Sequence, residues 1–459
     1  MRKRPEVFVA SRWLFVVLAL SLLLLPACGA EKQPVSVEIR DLRVLNQDPT
    51  VYAGQVQDAA ARIEPEVQYA LNRYYDEQFF SPWDKEASEL KTTDAFWGID
   101  SYSKKTGYGQ DGKPYPASWF TRFVNQCDAG NYPSLALKGI IVRNSNLRVM
   151  PTREPFYYDP AKPGEGYPFD YFQNSAIWAG TPVFISHVSL DGKWLLAEAG
   201  YAWGWVPVED IAVVDDAFVS QYRNGQYAAL LKDNTAITDA QGAPLLTVHI
   251  GSLFPLDLSG IPAPAGKAAI LAATRDPGGR AVLATGYVDS GSVALKPTQY
   301  SPMAMARVCR EIAGQRYTWG GLEQKRDCSA MTRDIFAPFG VWLPRNSTQQ
   351  GKQGLVIGLE GMSSQDKQRA ILEMGVPFRT LIWLKGHIML YIGEQDGRPL
   401  VFHQIWGVRT LLPDGSQGRN VIGKAVVTSL EPGIELDNVA PEAVLIERVL
   451  SMSILGSSL

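Results

Sequence analysis

Three residues in the last third of the chain have the types and the order that acyl-transfer chemistry needs: Cys328, His387 and His403. A thiol attacks a carbonyl as its thiolate, and a helix N-terminus beside a histidine lowers the pKa of a thiol. The free N–H groups at such a helix end also stabilise the oxyanion of a tetrahedral intermediate. Cys328 therefore has the setting of a nucleophile, with one histidine as general base and the second to orient it.

The other cysteines and histidines in the body of the chain have simpler interpretations. Cys127 and Cys309 fall at core positions of predicted helices, and no CxxC or CxxH pair indicates a metal site. His187 and His249 lie in strand patterns, where we expect structural roles. The sequence therefore predicts neither a metal ion nor any other cofactor.

The elements predicted around these residues place them together. A helix is expected over Met303–Ala313, then the turn-rich "YTWGG", then a helix that starts near Cys328. His387 begins a strong strand in "GHIMLYIG", and His403 follows 16 residues later, after a hairpin turn at "EQDGRP". The two imidazoles are therefore expected side by side on neighbouring strands.

Upstream of this region the chain divides into segments of different periodicity. A mainly helical segment over residues 28–135 is followed by short β-rich runs separated by turn residues. These runs predict a first β module (residues 136–214) and a second β module (residues 215–300). Residues 301–459 form a C-terminal α+β domain. The expected fold is thus multidomain, with two small β-barrels and an α+β domain behind a helical segment.

The first 27 residues look like a bacterial export signal, because four basic side chains precede a short apolar run. The stretch "LPAC" resembles a lipobox, which predicts lipidation of Cys28. Ordinary cleavage after Ala30 is the alternative. Several acyl chains on one cysteine would anchor the exported protein to a membrane, on its periplasmic or cell-envelope face.

Charge excludes one class of partner. Removing residues 1–27 takes away four basic and one acidic side chain, so the formal net charge of −3 becomes −6. A mildly acidic chain without a basic run has no electrostatic footprint for nucleic acid. The 12 Trp and 19 Tyr residues suit carbohydrate or peptide contact, although small β-barrels are equally aromatic. We expect a monomer.

The C-terminal domain carries four motifs in a fixed order: "YTWGG" before "DCSA", "LPRNSTQQ" after the helix, "GHIMLYIG", and a downstream histidine. In these motifs it resembles the NlpC family of papain-like bacterial cell-wall peptidases. The resemblance covers Pro302 to near Leu430, and Ala330 stands where the family often has glycine. The two β modules resemble bacterial SH3 domains, most clearly the first. The architecture is similar to that of a subgroup of γ-D-glutamyl-diamino-acid endopeptidases with an N-terminal clip segment.

The resemblance implies a role for each candidate residue. Cys328 would be the nucleophile, His387 the general base and then the acid, and His403 the group that orients His387. The resemblance also implies residues that line the substrate site, which are Tyr317, Asp327, Ser329, Ser347, Tyr201 and Trp203. Simpler alternatives are helix caps at Asp327 and Ser347, an ordinary first-turn position for Ser329, and a core position for Tyr317.

Two functions from different classes stay open at this point. The first is hydrolysis of the γ-D-glutamyl–diaminopimelate bond in murein stem peptides or peptidoglycan fragments. A buried carboxylate at Asp327 that needs a cationic partner would then select peptides with a free N-terminal L-Ala. The second is an inert lipoprotein that tethers itself to peptidoglycan through its SH3-like modules. The complete Cys-His-His set, in the right order, favours the enzyme.

Overall fold

The computed structural model describes residues 36–57 and 61–457. Cys28 and the predicted signal segment lie outside the described residues. No helix in these two ranges is long and apolar enough to cross a membrane.

The N-terminal segment is mainly helical. Its helices are α1 Arg40–Val44, α2 Pro49–Ala53, α3 Pro65–Phe80, α4 Thr92–Ala95, α5 Trp97–Tyr102 and α6 Ala117–Gln126. Helix α3 begins at Pro65, where the missing N–H of proline would have no helical partner in any case. Gln68 Nε2 donates to the carbonyl oxygens of Thr298, at 2.7 Å, and Phe339, at 3.1 Å. The segment is thus fastened to the rest of the chain through α3.

The first β module is one antiparallel sheet in the order β3-β2-β6-β5-β4-β1-β7. Its strands are β1 Leu137–Ile141, β2 Ser145–Arg148, β3 Gln173–Ile177, β4 Pro182–Val188, β5 Trp194–Glu198, β6 Trp203–Pro207 and β7 Ile211–Val213. Leu147, Ile185 and Val206 fill its interior. The buried guanidinium of Arg148 pairs with Asp170 at 2.6 Å and so fixes the loop that leads into β3.

The second β module follows helix α7, Asp216–Tyr222, and contains two antiparallel sheets. Its strands are β8 Tyr227–Leu230, β9 Thr235–Thr238, β10 Pro244–Val248, β11 Leu253–Pro255, β12 Lys267–Arg275, β13 Ala281–Asp289 and β14 Val293–Leu295. Strands β10, β9, β13 and β12 form one sheet, and β11, β8 and β14 form the other. Ile237, Phe254 and Val288 pack in the core of the module.

The C-terminal domain packs helices on a six-stranded antiparallel sheet in the order β15-β20-β16-β17-β18-β19. Its helices are α8 Pro302–Ile312, α9 Cys328–Phe336, α10 Ser347–Gln350, α11 Ser364–Met374 and α12 Leu445–Arg448. Its strands are β15 Leu355–Gly358, β16 Thr380–Leu384, β17 His387–Gln395, β18 Arg398–Leu411, β19 Gln417–Ser429 and β20 Val449–Ile454. The predicted helix near Met303–Ala313 is confirmed, shifted by one residue. Met305 of α8 and Ile335 of α9 bury their side chains in one core with Ile388 and Phe402 of the sheet.

A buried arginine connects helix α9 to the second β module. Arg326 pairs with Asp233 of that module at 2.6 Å and with Asp334 of α9 at 2.7 Å. Removing one partner of a buried ion pair leaves an uncompensated charge and costs about 3–5 kcal/mol. Because Arg326 lies two residues before Cys328, this network fixes the position of the α9 N-terminus.

Candidate active site

Helix α9 begins at Cys328 because Asp327 caps it. The Asp327 backbone is extended, and its carboxylate Oδ1 accepts the backbone N–H of Ala330 at 2.8 Å. Aspartate is among the best residues for this position because it satisfies a donor that the helix leaves free. The thiol therefore lies on the first helical residue, as the sequence predicts.

The glycine pair before the helix allows the first β module to approach this site. Gly320 and Gly321 have φ values of 62° and 77°, where a side chain would be strained. A Cβ added to Gly321 would lie 2.8 Å from the Cβ of Ala176 in β3. The carbonyl oxygen of Gly320 accepts Nε2 of Gln173 at 3.2 Å. The turn "YTWGG" thus docks on β3.

The environment of the thiol differs from the sequence-based expectation. Burial and the neighbouring Asp327 carboxylate raise the pKa of the Cys328 thiol to about 12, although backbone N–H groups of Ile388 and Ser329 favour the thiolate. The shift is opposite to the sequence-based expectation, and burial is its largest cause. A neutral thiol needs a base before it can act as a nucleophile.

Hydrogen bonds fix the tautomers of the two histidines. Nε2 of His387 and Nδ1 of His403 lie 2.8 Å apart, and Nε2 of His403 lies 3.0 Å from Oγ1 of Thr428. The Thr428 hydroxyl donates its only hydrogen to the carbonyl oxygen of Ser429 at 2.7 Å, so it accepts from His403. His403 therefore presents a lone pair to His387, and His387 carries its proton on Nε2. Its Nδ1 is left as a base.

Both imidazoles are neutral at neutral pH. Burial, with a smaller contribution from the charge of Arg448, lowers the pKa of His387 to about 4. Burial and the adjacent His387 lower the pKa of His403 well below its ordinary value. A neutral thiol beside a neutral imidazole can react by transferring the proton as the sulfur attacks.

Arg345, which the sequence reasoning missed, connects the site to the first β module. Its guanidinium binds both carboxylate oxygens of Asp327, at 2.6 and 3.1 Å. It also donates to the hydroxyls of Ser329 at 3.0 Å and of Ser175 in β3 at 2.8 Å. The residue stands inside the quoted motif "LPRNSTQQ", which was the only signal for it.

The Asp327 carboxylate has no free capacity for a further partner. It accepts five hydrogen bonds: one each from Gly320, Ala330 and Ser329, and two from Arg345. A carboxylate offers about four lone-pair sites. Although burial opposes it, Arg345 holds the pKa of Asp327 below its ordinary value. The expectation of an unpaired carboxylate that waits for a substrate ammonium is therefore wrong, and capping is the role seen.

Two more predicted substrate residues lie in this region. The buried ring of Tyr317 has its centroid 6.0 Å from that of Phe169 and 6.1 Å from that of Trp406. Burial and the nearby Cys328 raise the pKa of its phenol well above the ordinary value, so it stays neutral. Ser347 is the first residue of α10, half-buried, and the cap of that helix is Asn346.

The two predicted substrate residues of the first β module, Tyr201 and Trp203, contact other parts of the chain. Tyr201 packs its ring under the guanidinium of Arg333, 4.0 Å from its centroid, on the C-terminal half of α9. The indole N–H of Trp203 donates to the carbonyl oxygen of Asp94 at 3.2 Å, in the N-terminal segment. No hydrogen bond in the described part of the chain joins Tyr201 or Trp203 to Cys328, and their contact with substrate stays a prediction.

Comparison with known families gives matches to four stretches of the chain. Residues 314–404 match the NlpC/P60 family, and residues 17–132 match the N-terminal stabilising domain of NLPC_P60 proteins. Residues 155–207 match an SH3 domain of SH3b1 type, and residues 215–259 match one of SH3b2 type. The NlpC/P60 match, residues 314–404, contains Cys328, His387 and His403.

The chain is similar to solved structures to different degrees. An NlpC/P60 endopeptidase from Photobacterium damselae subsp. piscicida is 25% identical and has a TM-score of 0.78, over 92% of this chain and 99% of that one. An NlpC/P60 family protein from Bacillus cereus ATCC 10987 is 16% identical, with a TM-score of 0.45 over 70% of this chain and 100% of that one. A comparison with curated proteins gives no match.

Proposed function

Given that the C-terminal domain belongs to the NlpC/P60 family of cysteine peptidases, we propose that it hydrolyses the γ-D-glutamyl–diamino acid bond of murein stem peptides. The observation that carries the proposal is the juxtaposition at α9. The thiol on the first helical residue receives the backbone N–H of Ile388, the residue that follows His387. Nε2 of His387 is held by His403 at 2.8 Å, which leaves Nδ1 of His387 as the base.

The geometry supports a two-step acyl transfer. His387 Nδ1 removes the thiol proton of Cys328 as the sulfur attacks the γ-carbonyl carbon, and the N-terminus of α9 stabilises the oxyanion. The imidazolium then gives that proton to the departing amine, and a thioester remains. Water, deprotonated by the same imidazole, attacks the thioester and releases the acid and the thiol. His403 stays neutral and holds His387 in one tautomer.

We also propose that substrates with a free N-terminal L-Ala are preferred in wall turnover or recycling. The contact of Ser175 with Arg345 supports this idea, because it places β3 against the motif that surrounds the thiol. The first β module would then form a wall on this side of the site, and the wall would exclude a stem peptide that is still linked to its glycan. The test compares cleavage of L-Ala-γ-D-Glu-diaminopimelate with that of its N-acetylated form. Equal kcat/KM values would contradict the preference.

The location of the protein is part of the proposal. We infer an exported monomer anchored to a membrane by lipid on Cys28, which lies outside the described residues. Mass analysis of the N-terminal peptide, for wild type and for Cys28→Ser, tests the lipid. Light scattering of the detergent-free soluble domain tests the monomer.

Mass analysis of defined muropeptides after incubation separates the two candidate functions. The enzyme releases L-Ala-γ-D-Glu and a diaminopimelate product, and Cys328→Ala releases neither. An inert tether binds peptidoglycan through its SH3 domains and leaves every peptide intact. Intact peptides after incubation with folded wild type would overturn the proposed activity.

A further inference from the structure

Three arginine side chains lie close together near strands β17 and β18, which carry His387 and His403. Arg409, Arg419 and Arg448 line one small cavity of about 30 Å³, together with Ile405 and other residues of β18 and α12. Arg409 on β18 and Arg419 on β19 are direct cross-strand partners. Like charges in directly opposite positions destabilise an antiparallel sheet. The arrangement therefore needs an explanation outside the folding of the sheet.

The guanidinium groups of this arginine cluster lack anionic partners. Nε of Arg409 and Nε of Arg419 are buried and have no acceptor among residues 36–57 and 61–457. None of the ion pairs in that part of the chain includes Arg409, Arg419 or Arg448. Glu165, whose charge reaches Arg419, accepts the hydroxyl of Tyr171 instead, at 3.0 Å.

Burial and repulsion between the arginines lower the pKa values of two of them. Burial, with the charges of Arg409 and Arg448, lowers the pKa of Arg419. Burial and Arg409 likewise lower the pKa of Arg448. Buried donors without acceptors and mutually repelling cations are both relieved when an anion enters between them. A carboxylate suits the cavity because guanidinium forks bind carboxylates through paired hydrogen bonds.

The cluster adjoins the base of the catalytic set. Arg448 Nη2 donates to the carbonyl oxygen of Lys385 at 3.4 Å, two residues before His387, and its charge acts on His387. Ile405, which lines the cavity, lies two residues beyond His403 on β18, roughly 7 Å along the strand. The near end of the cavity, at Ile405, is therefore two residues from His403 along β18.

The position of His387 determines which part of a substrate reaches this cavity. The imidazolium must give its proton to the departing amine, so the residue that carries this amine lies against His387. Arg448 of the arginine cluster contacts the backbone just before His387, so the cluster lies next to the strand end that this leaving-group residue would contact. In the proposed substrate this residue is a diamino acid, and diaminopimelate differs from lysine by one additional carboxylate at its far end.

We propose that Arg409, Arg419 and Arg448 bind this distal carboxylate and thereby select diaminopimelate over lysine. The inference rests on the proposed function and deepens it by naming the diamino acid. It assigns the cluster a binding role that leaves the chemistry to Cys328 and His387.

The test measures kcat/KM for L-Ala-γ-D-Glu-diaminopimelate and for L-Ala-γ-D-Glu-lysine. Wild type should prefer the diaminopimelate peptide by roughly tenfold or more, the usual effect of a charged hydrogen bond that one substrate lacks. Arg419→Gln should lose that preference by slowing only the diaminopimelate peptide. Arg398→Gln, an exposed arginine on the same strand β18, is the matched control and should keep it. Arg409→Gln provides a second variant if Arg419→Gln does not fold.

A binding measurement separates failure of the subsite from failure of the activity. Free diaminopimelate should raise the Tm of wild type more than free lysine does, and Arg419→Gln should abolish the difference. Equal cleavage of both peptides, unchanged in Arg419→Gln, would overturn the subsite and leave the peptidase intact. If wild type cleaves neither peptide, the proposed activity is overturned. The Tm measurement still tests the subsite in that case, because equal Tm values with free diaminopimelate and free lysine would refute it.

Discussion

Removing the hydroxyl of Thr428 should slow the peptidase without unfolding it. Thr428 is fully buried, and its hydroxyl accepts the Nε2–H of His403 at 3.0 Å. Thr428→Val keeps the shape of the side chain and leaves that N–H without an acceptor. The other His403 tautomer, with its proton on Nδ1, then becomes competitive. It would force the proton of His387 onto Nδ1, where the lone pair of the base is needed.

The size of the effect follows from this one lost partner. A buried donor left without an acceptor costs about 1–3 kcal/mol, and 1.4 kcal/mol is a factor of ten in the tautomer ratio. We therefore expect kcat/KM to fall roughly 5- to 150-fold, with KM changing less than kcat. Thr428→Ser retains the hydroxyl and should stay within about twofold of wild type.

The assay combines kinetics with a direct view of the tautomer. Cleavage of L-Ala-γ-D-Glu-diaminopimelate is followed for wild type, Thr428→Val and Thr428→Ser, with Tm as the control for folding. Nitrogen NMR of labelled histidine reports which ring nitrogen of His403 carries the proton. Full activity in a folded Thr428→Val protein, or equal losses in both variants, would refute the positioning role.

Three further perturbations test other parts of the account. His387→Ala should abolish turnover, whereas His403→Ala should lower the rate by a smaller factor. His403→Asn should restore part of that loss, because its side-chain oxygen can accept the proton of His387. Equal and complete losses in both variants at position 403 would contradict an orienting role. Because burial holds the pKa of His387 near 4, kcat/KM should stay level from neutral pH down to about 5 and fall as protonation below about pH 4 removes the base; an acid limb near 6.5 would show an ordinary imidazole. Asp233→Ala should lower the free energy of unfolding in urea by about 3–5 kcal/mol by stranding buried Arg326, and a loss below about 1 kcal/mol would count against that network.

The sequence carries enough information to predict the elements that present the three candidate catalytic residues. Cys328 follows a capping aspartate, so the helix start is readable from local preference. His387 and His403 flank a hairpin turn, so their adjacency follows from strand pairing. These features depend on residues close in sequence, and the structure has them as expected.

Long-range contacts account for what the sequence reasoning missed. Arg345 meets Ser175 across 170 positions, and neither residue has a local pattern that predicts the pair. The full occupancy of Asp327 likewise depends on Arg345, which lies 18 positions further along the chain. The high pKa of Cys328 has a similar origin, because burial is a property of the packed domains. Local helix-end effects, which are visible in the sequence, are the smaller contribution.

The most direct test of the central claim compares wild type with Cys328→Ala on L-Ala-γ-D-Glu-diaminopimelate, with products identified by mass. The account predicts two products from wild type and, from the alanine variant, a rate below roughly a thousandth of that, since removing a covalent nucleophile costs several orders of magnitude. Because Cys328 is buried, the Tm of the variant is measured alongside to show that it stays folded. A folded alanine variant that keeps even a tenth of wild-type turnover would contradict Cys328 as the nucleophile.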